Sequence, residues 1–373
     1  MEQGNSSKSE LKYETVKKNI LSLISSQLLK PNDKIPGENE IARRFGVSVI
    51  TARKALSDLV NEGFIYRIKG KGSFVALPNS PVKEKRLRMI VFLLPTSEAV
   101  DSSFMKMIRG VQAGCSTHGY SILIEDSNDR LESEQKLMEK VINDRISGVI
   151  VYSIDPEKNV ASFNLLKENK IPFVLIDRYT ELIPYNIVSS HNTAGGFQAA
   201  EHLIQLGHRK IAFAAYDYNI NTEQLRHKGY QMALKAFGIE EDKSLFEMSA
   251  MENAAALYQK VKNRKITGIV CANDECALKL MDCFLRWGLR IPEDVSITGY
   301  DGIEATEYVR PTLTTVVQDF YQIGKAAGEL LVDALEHDPC SIKQILMPTK
   351  LISRESTAAP AVSAVSPPTD GTA

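Results

Sequence analysis

The sequence has little of what marks secreted, membrane-spanning or metal-binding proteins. Its five cysteines, Cys115, Cys271, Cys276, Cys283 and Cys340, are an odd number without Cys-x-x-Cys spacing, which argues against a disulfide framework and a zinc site. The longest apolar run, residues 89–95, is far shorter than the ~20 residues of a membrane span. The first ten residues are polar and lack a signal-peptide core. We therefore expect a cytoplasmic protein with free thiols.

Sequence motifs of the common enzyme classes are also missing. The chain contains no H-E-x-x-H, no G-x-S-x-G and no G-x-x-x-x-G-K-[ST], and its six histidines have no metal-ligand spacing. The Gly70-Lys71-Gly72-Ser73 fragment lacks the spacing of a phosphate loop. These absences predict a protein that is not an enzyme and needs neither cofactor nor metal. A sugar-processing enzyme stays open as a distant alternative.

Charge is present, but it is unevenly distributed. Residues 1–85 hold 15 Lys and Arg against 9 Asp and Glu, a net +6, while the remainder holds 30 against 37, a net −7. With 373 residues the chain is long enough for two or three domains. A basic first segment on an acidic remainder indicates that the first segment meets a polyanion.

The basic segment has the pattern of a winged helix-turn-helix domain over residues 1–77. In GVSVITARKALSDLVNEG, residues 46–63, the apolar Ala52, Ala55, Leu56 and Leu59 recur at helical spacing after a candidate N-cap, Ser48. A shorter helix, ENEIARRF, precedes it across a Gly-Val turn, and two β-rich runs flank Gly70-Lys71-Gly72. Helix, turn, helix and a basic hairpin is the arrangement of a domain that binds double-stranded DNA.

The polar face of the predicted second helix is suited to the DNA major groove. Thr51 and Arg53 lie near its N-terminal end, where side chains reach base edges. Arg43, Arg44 and Lys54 suit phosphates, and the hairpin tip brings Lys69, Gly70 and Lys71 close to the duplex. Taken alone, this face could equally be a solvated surface.

The stretch LLKPNDKIPGENEIARRFGVSVITARKALSDLVNEGFIYRIKGKGSFVA resembles the GntR-family DNA-binding domain along its whole length. The resemblance implies further DNA contacts from Lys12, Glu38, Ser48 and Val49. One position departs from the family, which usually has arginine directly after the serine, as in SRxTVR. Val49 cannot hydrogen-bond guanine and at most packs on a thymine methyl, so base preference there should differ.

After a Pro-containing linker at residues 78–88, short apolar runs alternate with helical patterns, which predicts an α/β fold with parallel sheets. The length of this part favours two Rossmann-like lobes, with a ligand in the crevice at the strand ends. Polar side chains follow several strands: Asn128 after one, Asp177 and Arg178, Asn273 and Asp274, and Asp301 after three others. Such a set fits a polyhydroxylated ligand, although any one of them could simply cap the next helix.

Residues 88–355 resemble the effector domain of LacI-family repressors, in SSHNTAGGFQAAEHLIQLGHRKIAF, LRHKGYQMAL and the segment from ANDECAL to DFYQIGKAA. The resemblance implies a two-lobed fold of the periplasmic-binding-protein type over residues 89–355. Lobe 1 is expected at about 89–190 and 320–347, and lobe 2 at about 191–318 and 348–355. The implied effector contacts are Ser103, Phe104, Asp177, Arg178, Arg226, Asn273, Asp301 and Gln318. Residues 356–373 lack apolar periodicity and are expected to be disordered.

A GntR-type head on a LacI-type body resembles the arabinose repressors of Gram-positive bacteria. This resemblance implies a homodimer on operator DNA that L-arabinose releases. The cleft residues themselves indicate only a hydroxyl-rich ligand, so another sugar, or a nucleoside or purine, stays open as effector.

Overall fold

The structure is a computed structural model that describes residues 12–26, 28–61, 63–68, 71–76, 87–95, 102–116, 118–182, 184–218, 220–250, 252–337 and 342–361. The chain divides into two compact units, Met1–Leu87 and Arg88–Ala373. Here they are called the head and the body. Within the described ranges, no helix is long and apolar enough to cross a membrane.

The head is a three-helix unit with a small antiparallel sheet. Its helices are α1 (Lys12–Ser25), α2 (Glu38–Phe45) and α3 (Val49–Asn61), and its strands are β1 (Lys34–Ile35), β2 (Ile65–Ile68) and β3 (Gly72–Val75). The strand order is β1-β3-β2. Ala52, Ala55, Leu56 and Leu59 of α3 are buried against the other elements, as the helical spacing predicts. The expected hairpin is present, and β1 adds a third strand to it.

Lobe 1 of the body is a six-stranded sheet covered by helices on both faces. Its strands are β4 (Leu87–Leu94), β5 (Ser121–Asp126), β6 (Ile146–Val151), β7 (Phe173–Ile176), β8 (Asn186–Ser190) and β14 (Gln344–Met347), and its helices are α4 (Ser102–Ser116), α5 (Leu131–Asn143), α6 (Val160–Glu168) and α11 (Phe320–Glu336). The order is β14-β8-β7-β6-β4-β5. Alternate residues of β4 enter two cores: Ile90 and Phe92 pack with α4 and α11, and Val91 and Leu93 with α5 and α6.

Lobe 2 repeats this architecture. Its strands are β9 (Ile211–Ala214), β10 (Phe246–Glu247), β11 (Gly268–Cys271), β12 (Ser296–Asp301), β13 (Thr314–Val317) and β15 (Lys350–Ile352), and its helices are α7 (Asn192–Gln205), α8 (Asn221–Ala236), α9 (Ala254–Lys262) and α10 (Asp274–Arg286). The order is β10-β9-β11-β12-β13-β15, with only β15 antiparallel to its neighbour. The chain therefore passes between the lobes three times: after β8, after β13 and after β14.

Each lobe contains one pair of helices that touch backbone to backbone. In lobe 1, a Cβ on Gly114 of α4 would collide with the Lys325 carbonyl of α11. In lobe 2, a Cβ on Gly196 of α7 would collide with the Arg226 carbonyl of α8. Glycine is required at both contacts for steric reasons, and in lobe 2 the contact sets the position of Arg226.

Two expected boundaries differ from the structure. β4 begins at Leu87, so the expected linker, residues 78–88, ends inside a strand, and residues 77–86 lie outside the described range. The expectation of disorder from residue 356 is wrong for residues 356–361. Ser356 is buried and exchanges hydrogen bonds with Ile297, and the Ala358 carbonyl accepts from Ser296 Oγ. These hydrogen bonds, from backbone groups and serine hydroxyls, hold a segment that has no apolar periodicity. Residues 362–373 lie outside the described range.

Candidate functional site

In the head, the start of α3 is fixed by a serine cap. The Thr51 amide donates to Ser48 Oγ at 3.1 Å, and the two hydroxyls lie 2.8 Å apart. This bond satisfies an amide that the first turn of a helix leaves without a partner. Ser48 is therefore the N-cap, and Val49 and Ile50 form the exposed tip of the helix.

Three cations of the head contact other side chains of the head. Glu38 accepts from Arg53 Nε at 2.8 Å and from Arg67 Nη2 at 3.3 Å. Lys54 Nζ lies 4.1 Å from the centroid of the Tyr13 ring. Exposed ion pairs of this kind contribute little stability, so a phosphate can compete for the same cations.

The structure describes only some of the other residues that were predicted to contact DNA. Arg43, Arg44 and Lys71 are exposed. The side chain of Lys12, and all of Lys69 and Gly70, lie outside the described residues.

In the body, a cavity of about 120 Å³ lies where the carboxyl ends of strands from both lobes meet. Eight residues predicted from the sequence line it: Ser103, Phe104, Asp177, Arg178, Arg226, Asn273, Asp301 and Gln318. The remaining lining residues are Met107, Tyr152, Ile220, Thr222, Glu223 and Phe320. The walls thus combine apolar and aromatic surface with two arginines and three carboxyl groups, as small-ligand sites do.

Arg226 of α8 lies at the centre of the lobe 2 wall. Its Nε donates to Asn192 Oδ1 and its Nη1 to the Ala272 carbonyl, both at 2.8 Å, and its Nη2 lies 3.3 Å from Asp301 Oδ1. Burial lowers the pKa of Arg226, but the charge of Asp301, with Tyr300 and other acidic groups, outweighs it and raises the pKa overall. The guanidinium is therefore charged, and its orientation is set before any ligand arrives.

On the lobe 1 wall, Asp177 follows β7 with a positive φ of 62°. Such a conformation costs free energy and is typical of functional sites. Tyr152 donates its hydroxyl hydrogen to Asp177 Oδ2 at 2.9 Å, while the buried Asp177 Oδ1 has no hydrogen-bond partner among the described residues. Arg178 lies 5.2 Å from the Tyr152 ring centroid and donates to the Ile154 carbonyl at 3.3 Å. A ligand hydroxyl could satisfy the open acceptor of Asp177.

Glu223 holds the loop beside the cavity. Its Oε2 accepts from the Tyr216 and Asp217 amides at 2.9 and 3.1 Å, and its Oε1 accepts from Asn273 Nδ2 at 2.8 Å. Asn273 Oδ1 in turn accepts from the Cys276 amide at 2.8 Å, which caps α10. Burial raises the pKa of Glu223 to about 7.

Two residues predicted for the effector site are not at the cavity. Asp274 is buried, and its carboxylate accepts from the Gly302 and Ile303 amides and from Thr315 Oγ1, so it ties β12 to α10. Asn128 lies in an exposed turn, where its amide donates to Asp126 Oδ1. Both follow strands, but Asp274 uses its side chain in local structure, which was the alternative that the sequence left open, and Asn128 lies in an exposed turn.

Tyr152, Thr222 and Glu223 were missed by sequence reasoning. Thr222 and Glu223 lie four and three residues before Arg226 on α8, so helical spacing from that arginine would have found them. Tyr152 directly follows β6, but the sequence reasoning selected carboxylate, amide and arginine side chains at strand ends and passed over a tyrosine. Within the described ranges, no group of three or more His, Cys, Asp or Glu side chains is placed to hold a metal ion.

Two family models match the chain. Residues 12–75 match the gntR family of bacterial regulatory proteins, and residues 200–357 match a periplasmic binding protein-like domain. The head, and the part of the body that contains most of lobe 2, therefore each match the family that the sequence motifs predicted.

Similarity to curated proteins extends over nearly the whole length. The arabinose metabolism transcriptional repressor of Halalkalibacterium halodurans is 31% identical over 94% of this chain and 97% of its own. That of Geobacillus stearothermophilus is 32% identical over 93% of this chain and 97% of its own. The chain belongs to the family of these transcriptional repressors. The CytR repressor of Escherichia coli K12 is 27% identical over 86% of this repressor and 96% of its own chain.

Solved structures support the same architecture for the body. The CcpA transcription regulator of Lactococcus lactis aligns with a TM-score of 0.64 and 27% identity over 72% of this repressor and 98% of its own chain. A LacI-family regulator of Enterococcus faecium with bound ribose aligns at 0.62 and 24% identity over 73% of this repressor and 99% of that chain, which bears on the fold alone. These relatives are regulators of transcription, and they favour that function over the enzyme alternative.

Proposed function

We propose that this repressor controls genes of sugar utilisation and that L-arabinose releases it from its operator. The observation that carries the proposal is the cavity, where arginines and carboxylates converge from both lobes. A planar arginine and a carboxylate can each bridge two neighbouring hydroxyls, which is the chemistry of a sugar ring. The identity of the sugar rests on the arabinose repressors to which the chain is similar.

Release requires that the sugar prefer one arrangement of the protein. Gln318 lies on the second passage between the lobes; its Nε2 donates to Asp301 Oδ1 at 2.7 Å, while its buried Oε1 has no partner among the described residues. A sugar that satisfies both Gln318 Oε1 and Asp177 Oδ1 binds the two lobes together. DNA affinity then changes only by the difference in sugar affinity between the free and DNA-bound arrangements.

The proposal includes a cytoplasmic homodimer, because a dimer presents two heads to the half-sites of a pseudo-palindromic operator. Exposed apolar side chains on lobe 1 support this part. Leu123 and Ile124 of the edge strand β5, and Met105 of α4, are exposed. A nucleoside or purine is the second candidate effector, supported by the similarity to CytR. The small volume of the cavity favours a monosaccharide.

The deciding experiment is fluorescence anisotropy of the full-length protein on labelled duplex from upstream of its own gene. Salt is held fixed, because phosphate contacts make DNA affinity steeply salt-dependent. L-Arabinose, D-ribose and cytidine are titrated separately, and we expect only L-arabinose to release the duplex. Release by another of these ligands contradicts the effector assignment, and tighter DNA binding with arabinose contradicts the direction of the switch.

A further inference from the structure

The tip of α3 exposes two neighbouring apolar side chains in a basic domain. Ile50 is 76% exposed and Val49 is 38% exposed. Isolated apolar side chains on a surface are common. These two lie at the N-terminal end of a helix in a DNA-binding family, the end from which side chains reach base edges.

Helical geometry turns Ile50 away from the core. The buried Ala52, Ala55, Leu56 and Leu59 define the inner face of α3. Ile50 belongs to the opposite face, on which Arg53, Lys54 and Ser57 follow at positions i+3, i+4 and i+7 and are exposed. Ile50 thus lies on the cation-bearing outer face, one turn before Arg53.

The tip is held in one position. The cap from Ser48 fixes the first turn, and Glu38 of α2 holds Arg53 one turn further on. An apolar contact from this position is therefore prepared before binding and needs little ordering of the backbone.

The apolar character of Val49 and Ile50 limits the groups on DNA bases that they can recognise. Neither side chain can donate or accept a hydrogen bond, so neither can read the N7, O6, N6, N4 or O4 groups of the bases. The one apolar group on the base edges of the major groove is the C5-methyl of thymine. The exposed cations Arg43, Arg44 and Lys71 supply attraction to phosphates but no sequence information.

From these observations we infer that Val49 and Ile50 read thymine methyl groups, so that the operator carries T·A pairs where α3 enters the groove. The inference rests on DNA binding by the head and adds to it the class of base recognised. It is independent of which sugar fills the body.

The test isolates a single methyl group. Random duplexes containing dT are selected for binding to the full-length protein, and the enriched site is rebuilt with dU in place of one dT at a time. Uracil keeps the hydrogen-bonding edge of thymine and lacks only the methyl. We expect one or two dU positions in each half-site to weaken binding about fourfold each, because the burial of one methyl group is lost at each position. The other dU positions should have no effect.

Variants then connect the methyl to the side chain. In I50A the ratio of dT to dU affinities at the sensitive position should fall to about one, with V49A acting on the same or the adjacent position. The control is L28A, because Leu28 of the head is 72% exposed but lies outside α3; it should keep the wild-type ratio. V49R should gain a preference for guanine at a sensitive position.

Equal affinity for dT and dU at every position would overturn the inference while leaving DNA binding intact. An I50A or V49A variant that keeps the full ratio would likewise overturn the role of that side chain. If no duplex is enriched from the random pool, DNA binding by the head itself fails, and the inference fails with it.

Discussion

The two lobes of the body share one architecture but prepare their walls of the cavity differently. In lobe 2, Arg226 already donates to Asn192 and Ala272 and pairs with Asp301. In lobe 1, Asp177 keeps a buried oxygen without a partner among the described residues. Protein groups thus already position Arg226 on the lobe 2 wall, whereas Asp177 on the lobe 1 wall keeps an acceptor that a ligand hydroxyl could satisfy.

A second pair of residues sharpens this comparison. Glu134 of α5 and Glu223 of α8 are both buried in the first turn of a helix. Each accepts from an asparagine side chain, and Glu134 accepts from one loop amide and Glu223 from two. Burial raises the pKa of each to about 7. Only Glu223 lines the cavity. In both lobes, therefore, a buried glutamate at the start of a helix holds a neighbouring loop. In lobe 2 this glutamate, Glu223, also lines the cavity.

The largest effect is expected from removing the lobe 2 cation. R226A removes the guanidinium that lies 3.3 Å from Asp301 Oδ1, while Asp301 keeps the hydrogen bond from Gln318. A planar arginine can bridge two sugar hydroxyls, and each hydrogen bond to a charged group contributes about 1.5–3 kcal/mol. We expect L-arabinose affinity to fall more than 100-fold in calorimetric titration, with DNA affinity retained. The matched control is R286A, an exposed arginine on α10 paired with Asp282, which should bind the sugar normally. Normal sugar binding by R226A would contradict the proposed site.

The raised pKa of Glu223 predicts a dependence of stability on pH. The folded state holds the proton more tightly than the unfolded chain, whose pKa is near 4.5. The stabilisation of the folded state by protonated Glu223 is therefore fully present below about pH 4.5 and is lost as the pH rises through about 7. Relative to E223Q, the free energy of unfolding of the wild type should fall by about 3 kcal/mol across this range.

Glu134 supplies the control for that measurement. E134Q should change the pH dependence of stability in the same way, because burial raises both pKa values. Denaturant unfolding at a series of pH values measures both variants. Arabinose affinity should change its pH dependence only in E223Q, so a matching change in E134Q would contradict the difference drawn between the lobes.

The next largest effect is expected at the close contacts between α4 and α11 and between α7 and α8. Overpacking by one methyl group should destabilise both G114A and G196A by about 2 kcal/mol. G196A should also lower arabinose affinity, because the clash displaces the Arg226 backbone. G114A presses on Lys325, outside the cavity, and should leave sugar affinity unchanged. Thermal unfolding and titration calorimetry separate the two outcomes.

The smallest effect is expected from D177N in lobe 1. Loss of a charged acceptor for a sugar hydroxyl should weaken arabinose binding about tenfold. Asp177 Oδ1 has no hydrogen-bond partner among the described residues, and an asparagine keeps one oxygen that can accept from Tyr152, so thermal stability without sugar should not fall. Lower stability together with normal sugar affinity would show that Asp177 serves the fold and not the ligand.

Much of this architecture follows from patterns in the sequence, and the exceptions have physical reasons. The apolar spacing of α3 and the alternation of strands and helices reflect burial, so both were predictable. The two-residue strand β1 was missed because it is too short to have a period. Residues 356–358 are held by hydrogen bonds of backbone groups and of the Ser356 and Ser296 hydroxyls. Their partners are distant in the sequence, so apolar periodicity gives no sign of them.

At the cavity, the resemblance to LacI-family effector domains implied four lining residues, Ser103, Phe104, Arg226 and Gln318. Strand ends predicted four more, Asp177, Arg178, Asn273 and Asp301, because carboxyl ends of parallel strands share one edge of a sheet. The same reasoning failed for Asp274. Its carboxylate turns back to the Gly302 and Ile303 amides, and no feature of the local sequence shows which way such a side chain turns. Glu223 was missed because it lies in the first turn of α8 and does not directly follow a strand.

The three passages between the lobes also bear on how the chain is made. The head is one continuous segment and can fold as soon as it leaves the ribosome. Lobe 1 lacks α11 and β14 until Met347 has been synthesised, and lobe 2 lacks β15 and the segment through Ala358 for a few residues longer. For most of its synthesis, a nascent chain of this repressor therefore carries a DNA-binding domain able to fold, while the body is still incomplete.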